Sequence, residues 1–211
     1  VFFFKQTRAY VRRPRVCSSD VLDSDFSEYN LKTNVIKKII YAIKNFRDRC
    51  LLKTFAQTGI RRAEIANLDI RDVDFEKNLI QIREGKGGKS RTIPITEELA
   101  SDLKHLIDGR KVGFLFESNR GGSLTLRQVN WIVAKSGEVA GVKNPNPKYP
   151  RITCHLFRHS FAREWKKRGG SIETLSKILG HTSIKTTLDE YGTEDLEDVQ
   201  ENYKKIMLEM F

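Results

Sequence analysis

One stretch of the sequence, residues 79–95, departs from the pattern that dominates the rest of the chain. There, two runs rich in β-branched residues flank a glycine-rich segment at 85–88, which is typical of an antiparallel hairpin. Elsewhere, apolar residues recur at three- and four-residue intervals, as on one face of an amphipathic helix. These intervals predict helices that start near residues 32 and 96 and helices at about 48–57, 61–68, 125–140, 155–168, 171–179 and 183–190. The expected fold class is therefore mainly α with a small antiparallel β-sheet (α+β).

The N-terminal 31 residues differ in composition from the remainder of the chain. Residues 1–16 hold five basic groups and no acid, and Pro14 interrupts any regular helix there. Residues 1–31 are therefore predicted to be a basic arm or interdomain linker that contacts phosphates, or else a disordered end. Residues 32–211 are predicted to form one domain, which is an ordinary size for a single hydrophobic core.

The C-terminal segment is acidic, although the chain as a whole has a net charge of +11 and a pI near 9.6. Residues 188–211 contain eight acids against Lys204 and Lys205. Their apolar residues predict a helix at about 195–210 with one apolar face: Leu196, Val199, Tyr203, Ile206 and Met210. That face is expected to pack either on its own domain or on a neighbouring protein. The positive remainder of the chain indicates a polyanionic partner.

Composition disfavours several other classes of protein. No apolar stretch approaches the ~20 residues that cross a bilayer, so no membrane span is expected. Cys17, Cys50 and Cys154 lie far apart, which favours reduced thiols in the cytoplasm over a disulfide framework or a zinc site. No cluster of carboxylates, histidines or cysteines has convincing metal-binding spacing, so neither a metal nor another cofactor is expected.

Two segments in the first half of the chain place basic side chains where a phosphate can be bound. Arg61 follows Gly59 at a predicted helix start, from which an arginine can bind a phosphate through two parallel hydrogen bonds. Glu64 lies one helical turn further on and can orient Arg61 by a charged pair. Lys86 lies at the tip of the predicted hairpin, where it can place a proton donor in a DNA groove. Each also has an ordinary explanation as a solvated surface charge.

Further candidates lie in the second half of the chain. His155 and Arg158 are one turn apart and therefore share one face of a predicted helix. His181 ends another predicted helix, and Tyr191 follows ten residues later. Taken singly, the two histidines are explained at least as well by structural roles, and a lone tyrosine has little meaning.

Together and in this order, the segments TGIRRAEIANL, GKGGKSRTIPI, HLFRHSFA, LGHTSIKTT and LDEYG resemble the tyrosine recombinase (phage integrase) family. The match spans residues 58–191 and implies the catalytic-domain fold of that family. The resemblance assigns the active site to Arg61, Lys86, His155, Arg158, His181 and Tyr191, with Glu64 as the supporting acid. The tyrosine segment departs from many relatives, because ten residues instead of nine separate His181 from Tyr191. Gly192 and Thr193 also stand where a histidine usually follows the tyrosine.

The resemblance implies a site-specific recombinase or integrase that cleaves and rejoins strands of double-stranded DNA without a metal or ATP. The two arginines would neutralise the phosphate, with hydrogen bonds added by the two histidines. Lys86 would protonate the leaving 5′-oxygen. Tyr191 would be the nucleophile that forms a covalent 3′-phosphotyrosyl intermediate, and its proton would pass to His155 or to the phosphate.

The resemblance also implies self-association on DNA, as a synaptic tetramer whose protomers exchange the helix at about 195–210. A cytoplasmic, DNA-associated location follows from the same reasoning. Two alternatives stay open. A type IB topoisomerase-like enzyme would relax DNA and would be indifferent to paired target sites. A DNA-binding module would keep the fold without the chemistry, and the complete set of candidate catalytic residues argues against it.

Overall fold

Helices dominate the part of the chain that the computed structural model describes, which comprises residues 29–83, 90–181, 183–192, 200, 203–204 and 207–208. Within these residues the elements are α1 (Thr33–Tyr41), α2 (Phe46–Thr58), α3 (Arg62–Ala66), a 3₁₀ turn (Ile70–Asp72), β1 (Val73–Asp74), β2 (Leu79–Ile82), β3 (Arg91–Pro94), α4 (Glu97–Ile107), α5 (Leu126–Val139), α6 (Cys154–Lys167), α7 (Ile172–Leu179) and α8 (Ile184–Tyr191). The expected fold class, mainly α with a small antiparallel sheet, is confirmed.

The sheet contains one more strand than the sequence predicts. β2 pairs antiparallel with β3, with Ile80 opposite Ile93. β1 pairs antiparallel with the other edge of β2, where Val73 lies opposite Ile80. All three side chains are buried, so this face of the sheet belongs to the hydrophobic core. The sequence does not reveal β1 because two residues are too few to show the alternation that identifies a strand.

The helix predicted at 61–68 is shorter in the structure and ends at Ala66. Beyond it the backbone pairs with a distant segment: the Leu115 N–H donates to the Leu68 carbonyl at 2.7 Å, and the Ile70 N–H donates to the Gly113 carbonyl at 2.9 Å. These bonds replace the helical ones, because each backbone group is satisfied by one partner or the other. The apolar spacing continues past the helix because Leu68 and Ile70 are also core residues.

α2 lies at the centre of the helical core, where it packs against α4 and α6. The Asn45 side chain caps its first turn by accepting a hydrogen bond from a backbone N–H. Leu51, Leu52 and Phe55 of α2 are fully buried, and the ring of Phe55 lies 6.3 Å from the ring of Phe157 on α6. Burial of these side chains holds α6, which carries several candidate site residues, against the core.

The last three described helices, α6, α7 and α8, pack against one another. Thr153 and Ser183 cap α6 and α8, each accepting a backbone N–H through its hydroxyl oxygen. α7 ends at Gly180, which adopts the left-handed conformation with φ of 66°. The predicted bounds of these helices agree with the observed ones to within one residue.

Residues 193–211 are described at five positions, and all five are helical. Tyr203 is 63% exposed and Leu208 is 83% exposed. The rest of the helix predicted at about 195–210, most of the arm predicted at 1–31 and the hairpin tip at 84–89 lie outside the described residues. No helix among the described residues is both long enough and apolar enough to span a bilayer.

Candidate active site

Arg158 joins α6 to the C-terminal ends of two other helices. Its Nη1 donates to the Gly59 carbonyl at 2.6 Å, and its Nη2 donates to the Leu179 carbonyl at 2.9 Å. The carbonyls at a helix C-terminus lack intrahelical donors and carry partial negative charge, so a guanidinium is a suitable partner. Arg158 is only 6% exposed. Burial and then the nearby charge of Arg61 lower the pKa of Arg158 to about 10, which leaves it positively charged at neutral pH.

Gly59 makes the turn that brings α2 and α3 together over α6. Its φ is 57°, in the left-handed region that favours glycine, and it caps α2. A Cβ there would lie 2.7 Å from Phe161 Cδ1 and 2.9 Å from Leu179 Cδ2. The glycine therefore allows the turn and lets side chains of α6 and α7 pack directly against it. The turn at this position puts Arg61 at the start of α3.

Arg61 occupies the N-cap of α3 and reaches the same helix end as Arg158. Its Nη2 donates to the Gly180 carbonyl at 3.1 Å, next along the chain from the Leu179 carbonyl that Arg158 binds. The two guanidinium groups thus lie side by side at the end of α7. The Arg61 side chain is 26% exposed, so its positive charge is reachable from solvent, whereas Arg158 beside it is buried.

Glu64 is shared between two arginines. Its Oε1 accepts a hydrogen bond from Arg61 Nη1 at 3.1 Å, and its Oε2 accepts one from the Arg61 backbone N–H at 2.9 Å. Arg91 of β3 binds both carboxylate oxygens, at 2.9 and 2.6 Å, and its Nε donates to the Ile178 carbonyl at 2.7 Å. The Glu64 and Arg91 side chains are 6% and 8% exposed. This buried pair ties the hairpin to α3 and to α7.

His181 lies between Arg158 and α8. Its Nε2 is 3.1 Å from Arg158 Nη2, and its Nδ1 is 2.7 Å from Thr187 Oγ1. Because an arginine can only donate, Nε2 accepts, and the proton of the neutral ring lies on Nδ1 and is donated to Thr187. This arrangement fixes the tautomer of His181 beside the two arginines.

Tyr191, the last residue of α8, is 4% exposed and packs against Ala162, Leu175 and Leu179. Its hydroxyl oxygen lies 2.8 Å from Nδ1 of His159 on α6. The other ring nitrogen of His159, Nε2, lies 2.6 Å from Nε2 of His155, one helical turn earlier. The phenol is therefore connected to the candidate histidine of α6 through a second histidine.

The structure brings together most of the residues that the sequence singles out. Arg61, Arg158 and His181 meet at the turn between α7 and α8, and Glu64 holds Arg61 there. His155 is exposed and is connected to Tyr191 through His159. Lys86 lies outside the described residues. Among the described residues, no group of three or more histidines, cysteines, aspartates and glutamates is arranged to hold a metal ion.

Sequence reasoning missed three residues of the site: Arg91, His159 and Thr187. Arg91 closes the segment GKGGKSR, and His159 directly follows Arg158 at four residues from His155. The four-residue spacing of the two histidines places them on one helix face and is the signal that could have found His159. For Arg91 and Thr187 no local pattern distinguishes them from exposed polar residues.

Replacing Glu64 by Gln is expected to destabilise the fold by about 3–5 kcal/mol, because it leaves Arg91 buried without a countercharge. Urea unfolding measures this difference. The matched control is Glu98→Gln, which removes an exposed partner of Lys53 and should cost about 0.5 kcal/mol or less. Equal effects of the two substitutions would contradict the buried ion pair.

The loss of stability caused by Glu64→Gln should also depend on pH. Burial by itself raises the pKa of Glu64, but the hydrogen bonds and charge of Arg91, with smaller effects of Arg61, outweigh it and lower the pKa to about 2. An unfolded glutamate has a pKa of about 4.3. The stabilisation is therefore complete above about pH 5 and is lost as pH falls towards 2. The difference in unfolding free energy between the wild type and Glu64→Gln should narrow over that range, and a constant difference would contradict the ionised pair.

Known proteins share this arrangement of sequence and fold. The sequence profile of the Phage integrase family matches residues 29–197. The chain is 35% identical over 163 residues to tyrosine recombinase XerA of Pyrococcus horikoshii, covering 75% of this chain and 54% of that protein. The crystal structure of XerA recombinase matches with a TM-score of 0.71 and 29% identity, over 83% of this chain and 64% of that one. XerH site-specific recombinase bound to its difH substrate matches with a TM-score of 0.67 and 26% identity, over 83% and 53% of the two chains.

The chain spans about half the length of the curated relatives it matches. The family match nevertheless covers the hydrophobic core, Arg61 and Arg158, and the whole of α6, α7 and α8. Sequence and fold therefore agree, and the chain belongs to the phage integrase family.

Proposed function

We propose that this chain is the catalytic domain of a site-specific DNA recombinase or integrase. It cleaves and rejoins DNA strands through a covalent 3′-phosphotyrosyl intermediate and needs neither a metal nor ATP. One observation carries this proposal: Arg61 and Arg158 bind consecutive carbonyls next to His181, and the residue after Arg158 on α6 lies at hydrogen-bond distance from the Tyr191 hydroxyl. Tyr191 is near enough to Arg158 to influence its pKa.

The positive charge of this site suits a phosphodiester. Three arginines, Arg61, Arg91 and Arg158, lie with two carboxylates, Glu64 and Glu190, so the group keeps a net positive charge. A phosphodiester resists attack because its own negative charge repels nucleophiles. Arg61 and Arg158 would bind the two non-bridging oxygens and stabilise the charge that builds on them in the transition state. His181 would hold the Arg158 guanidinium in place by accepting its hydrogen bond through Nε2.

The reaction exchanges one ester bond for another. A bond forms between Tyr191 Oη and phosphorus as the bond between phosphorus and the 5′-oxygen breaks, and Lys86 gives the leaving oxygen a proton. Because the phosphotyrosyl bond conserves the energy of the broken linkage, a 5′-hydroxyl can reverse the step and rejoin the strand. The role of Lys86 is carried over from the family and stands on the sequence alone.

The test is to trap the covalent adduct. The chain is incubated with a pool of singly nicked duplexes whose sequences are randomised, and DNA that stays attached to protein under denaturing conditions is recovered and sequenced. We expect one recovered sequence class, joined through a 3′-phosphate to Tyr191. No adduct with any duplex would overturn the proposed chemistry, and adducts spread evenly over all sequences would overturn the site specificity and favour a DNA-relaxing enzyme.

We further propose that the chain acts on double-stranded DNA in the cytoplasm. The net charge of +11 supports a polyanionic partner. The thiols of Cys50 and Cys154 are buried, and burial raises the pKa of each to about 12, so both suit a compartment in which thiols stay reduced. The basic residues before residue 17 would add phosphate contacts, and this role rests on composition.

Self-association on DNA is part of the same proposal, with the C-terminal helix of one protomer docked on its neighbour within a tetramer. The large exposed fraction of Tyr203, which belongs to the predicted apolar face, supports a partner outside the domain, because an apolar helix face usually packs on a surface that covers it.

Deletion of residues 195–211 should therefore weaken recombination between two sites by roughly 10-fold or more while single-strand cleavage stays nearly unchanged. The double substitution of Tyr203 and Ile206, both on the predicted apolar face, by Glu should act in the same way at full chain length. Both reactions are followed on denaturing gels with the trapped sequence as substrate. Equal losses of cleavage and recombination would contradict docking on a neighbour.

A further inference from the structure

His159 connects the buried hydroxyl of Tyr191 to the exposed ring of His155. The two hydrogen-bond distances are 2.8 Å, from Tyr191 Oη to His159 Nδ1, and 2.6 Å, from His159 Nε2 to His155 Nε2. The His159 ring centroid lies 4.1 Å from that of His155 and 5.5 Å from that of Tyr191. His159 is 3% exposed, so the chain of three rings leads from the interior to the surface.

The hydrogen bonds between these three rings can run in either of two opposite directions, depending on which nitrogen of each histidine carries the proton. A neutral histidine carries one N–H donor and one acceptor nitrogen. In the first direction Tyr191 donates to Nδ1 of His159, and Nε2–H of His159 donates to Nε2 of His155. In the second, His155 donates to His159, and His159 donates to the tyrosine oxygen. Only the first direction carries a proton away from the phenol.

The first direction suits the burial of Tyr191. A phenol with a pKa near 10 is almost wholly protonated at neutral pH. An ionised oxygen in this apolar cluster would be costly unless its proton were taken up as the charge forms. His159 lies at hydrogen-bond distance from Tyr191 Oη, and its Nδ1 can accept that proton.

We infer that His159 is the catalytic base that takes the proton from Tyr191 and passes a proton on to His155. The inference rests on the proposed function of Tyr191 as nucleophile. As the bond between Oη and phosphorus forms, the Oη proton moves to Nδ1 of His159, and the Nε2 proton of His159 moves to Nε2 of His155. His155 becomes the cation at the exposed end of the three rings, and the reverse transfers restore Tyr191 during rejoining.

Two substitutions of His159 distinguish proton transfer from a purely structural role of its side chain. Asn at position 159 can offer an amide oxygen near the place of Nδ1, so it can hold the tyrosine but cannot accept its proton. We expect His159→Asn and His159→Ala to slow adduct formation on the trapped nicked duplex alike, by about 100-fold or more, with DNA affinity unchanged. The control is His105→Asn, which changes a histidine whose ring packs edge-on against Phe46 in another part of the fold. Retention of near wild-type rates by His159→Asn would overturn the inference.

The direction of the hydrogen bonds that link Tyr191, His159 and His155 can be measured without DNA. Long-range ¹H–¹⁵N NMR of the histidine rings is expected to show His159 protonated on Nε2 and unprotonated on Nδ1, and this pattern should change in Tyr191→Phe. A proton on Nδ1 of His159 in the neutral protein would overturn the inference. Absence of any adduct with the wild-type chain would instead overturn the proposed function. Loss of adduct formation in the His159 variants, with the wild type still active, supports both the proposed function and the role of His159. Thermal unfolding of each variant confirms that it is folded.

Discussion

Replacing Tyr191 by Phe is expected to abolish covalent attachment to DNA. The phenol oxygen is the proposed nucleophile, and phenylalanine has the same shape without that oxygen, so adduct formation should fall by about 10⁴-fold or more. The fold should survive, because the ring keeps its contacts with Ala162, Leu175 and Leu179. The lost hydrogen bond to His159 should cost only about 1 kcal/mol. Binding of the trapped duplex should therefore remain while the adduct band disappears.

Tyr203→Phe is the matched control for this experiment. Tyr203 is the nearest other tyrosine along the chain, and it is 63% exposed on the C-terminal segment. We expect its substitution to leave adduct formation unchanged. An adduct that persists in Tyr191→Phe and disappears in Tyr203→Phe would move the nucleophile to the tail and overturn the assignment.

Replacing Arg158 by Ala is expected to reduce adduct formation by roughly 10³-fold. The guanidinium would stabilise the charge on a non-bridging oxygen in the transition state, and groups in that role are worth about that factor. The substitution also leaves the Gly59 and Leu179 carbonyls without their buried donor, so a loss of stability of about 1–3 kcal/mol for each is expected as well. Rates are therefore compared at a temperature where circular dichroism shows both proteins folded.

Two further variants separate charge from structure at this position. Arg158→Lys keeps a positive charge but not the planar fork that reaches two carbonyls, so its rate should stay far below that of the wild type. Arg168→Ala, directly after the C-terminal end of α6, removes only an exposed ion pair with Glu164 and should have little effect. Near wild-type rates in Arg158→Ala would exclude it from the proposed phosphate site.

Much of the fold can be predicted from local pattern. The spacing of apolar residues identifies α6, α7 and α8 to within one residue, since an amphipathic helix needs only its own face to be apolar. The pattern fails for β1, which is too short, and for the end of α3, where backbone bonds to residues 113 and 115 replace helical ones. In both cases a partner distant in the chain decides the local structure.

The candidate site likewise has features that the sequence predicts and features that only the folded structure shows. Residue types, their order and the family resemblance that singles out Arg61, Arg158 and Tyr191 can all be read from the amino-acid sequence. The folded chain adds that the two arginines meet on consecutive carbonyls, that Arg91 shares Glu64, and that His159 stands between Tyr191 and His155. These contacts escape the sequence because a hydrogen bond depends on distance and direction. Both are set by how helices pack when the paired groups lie 87 residues apart, as for Arg91 and Ile178, or 99 apart, as for Arg158 and Gly59.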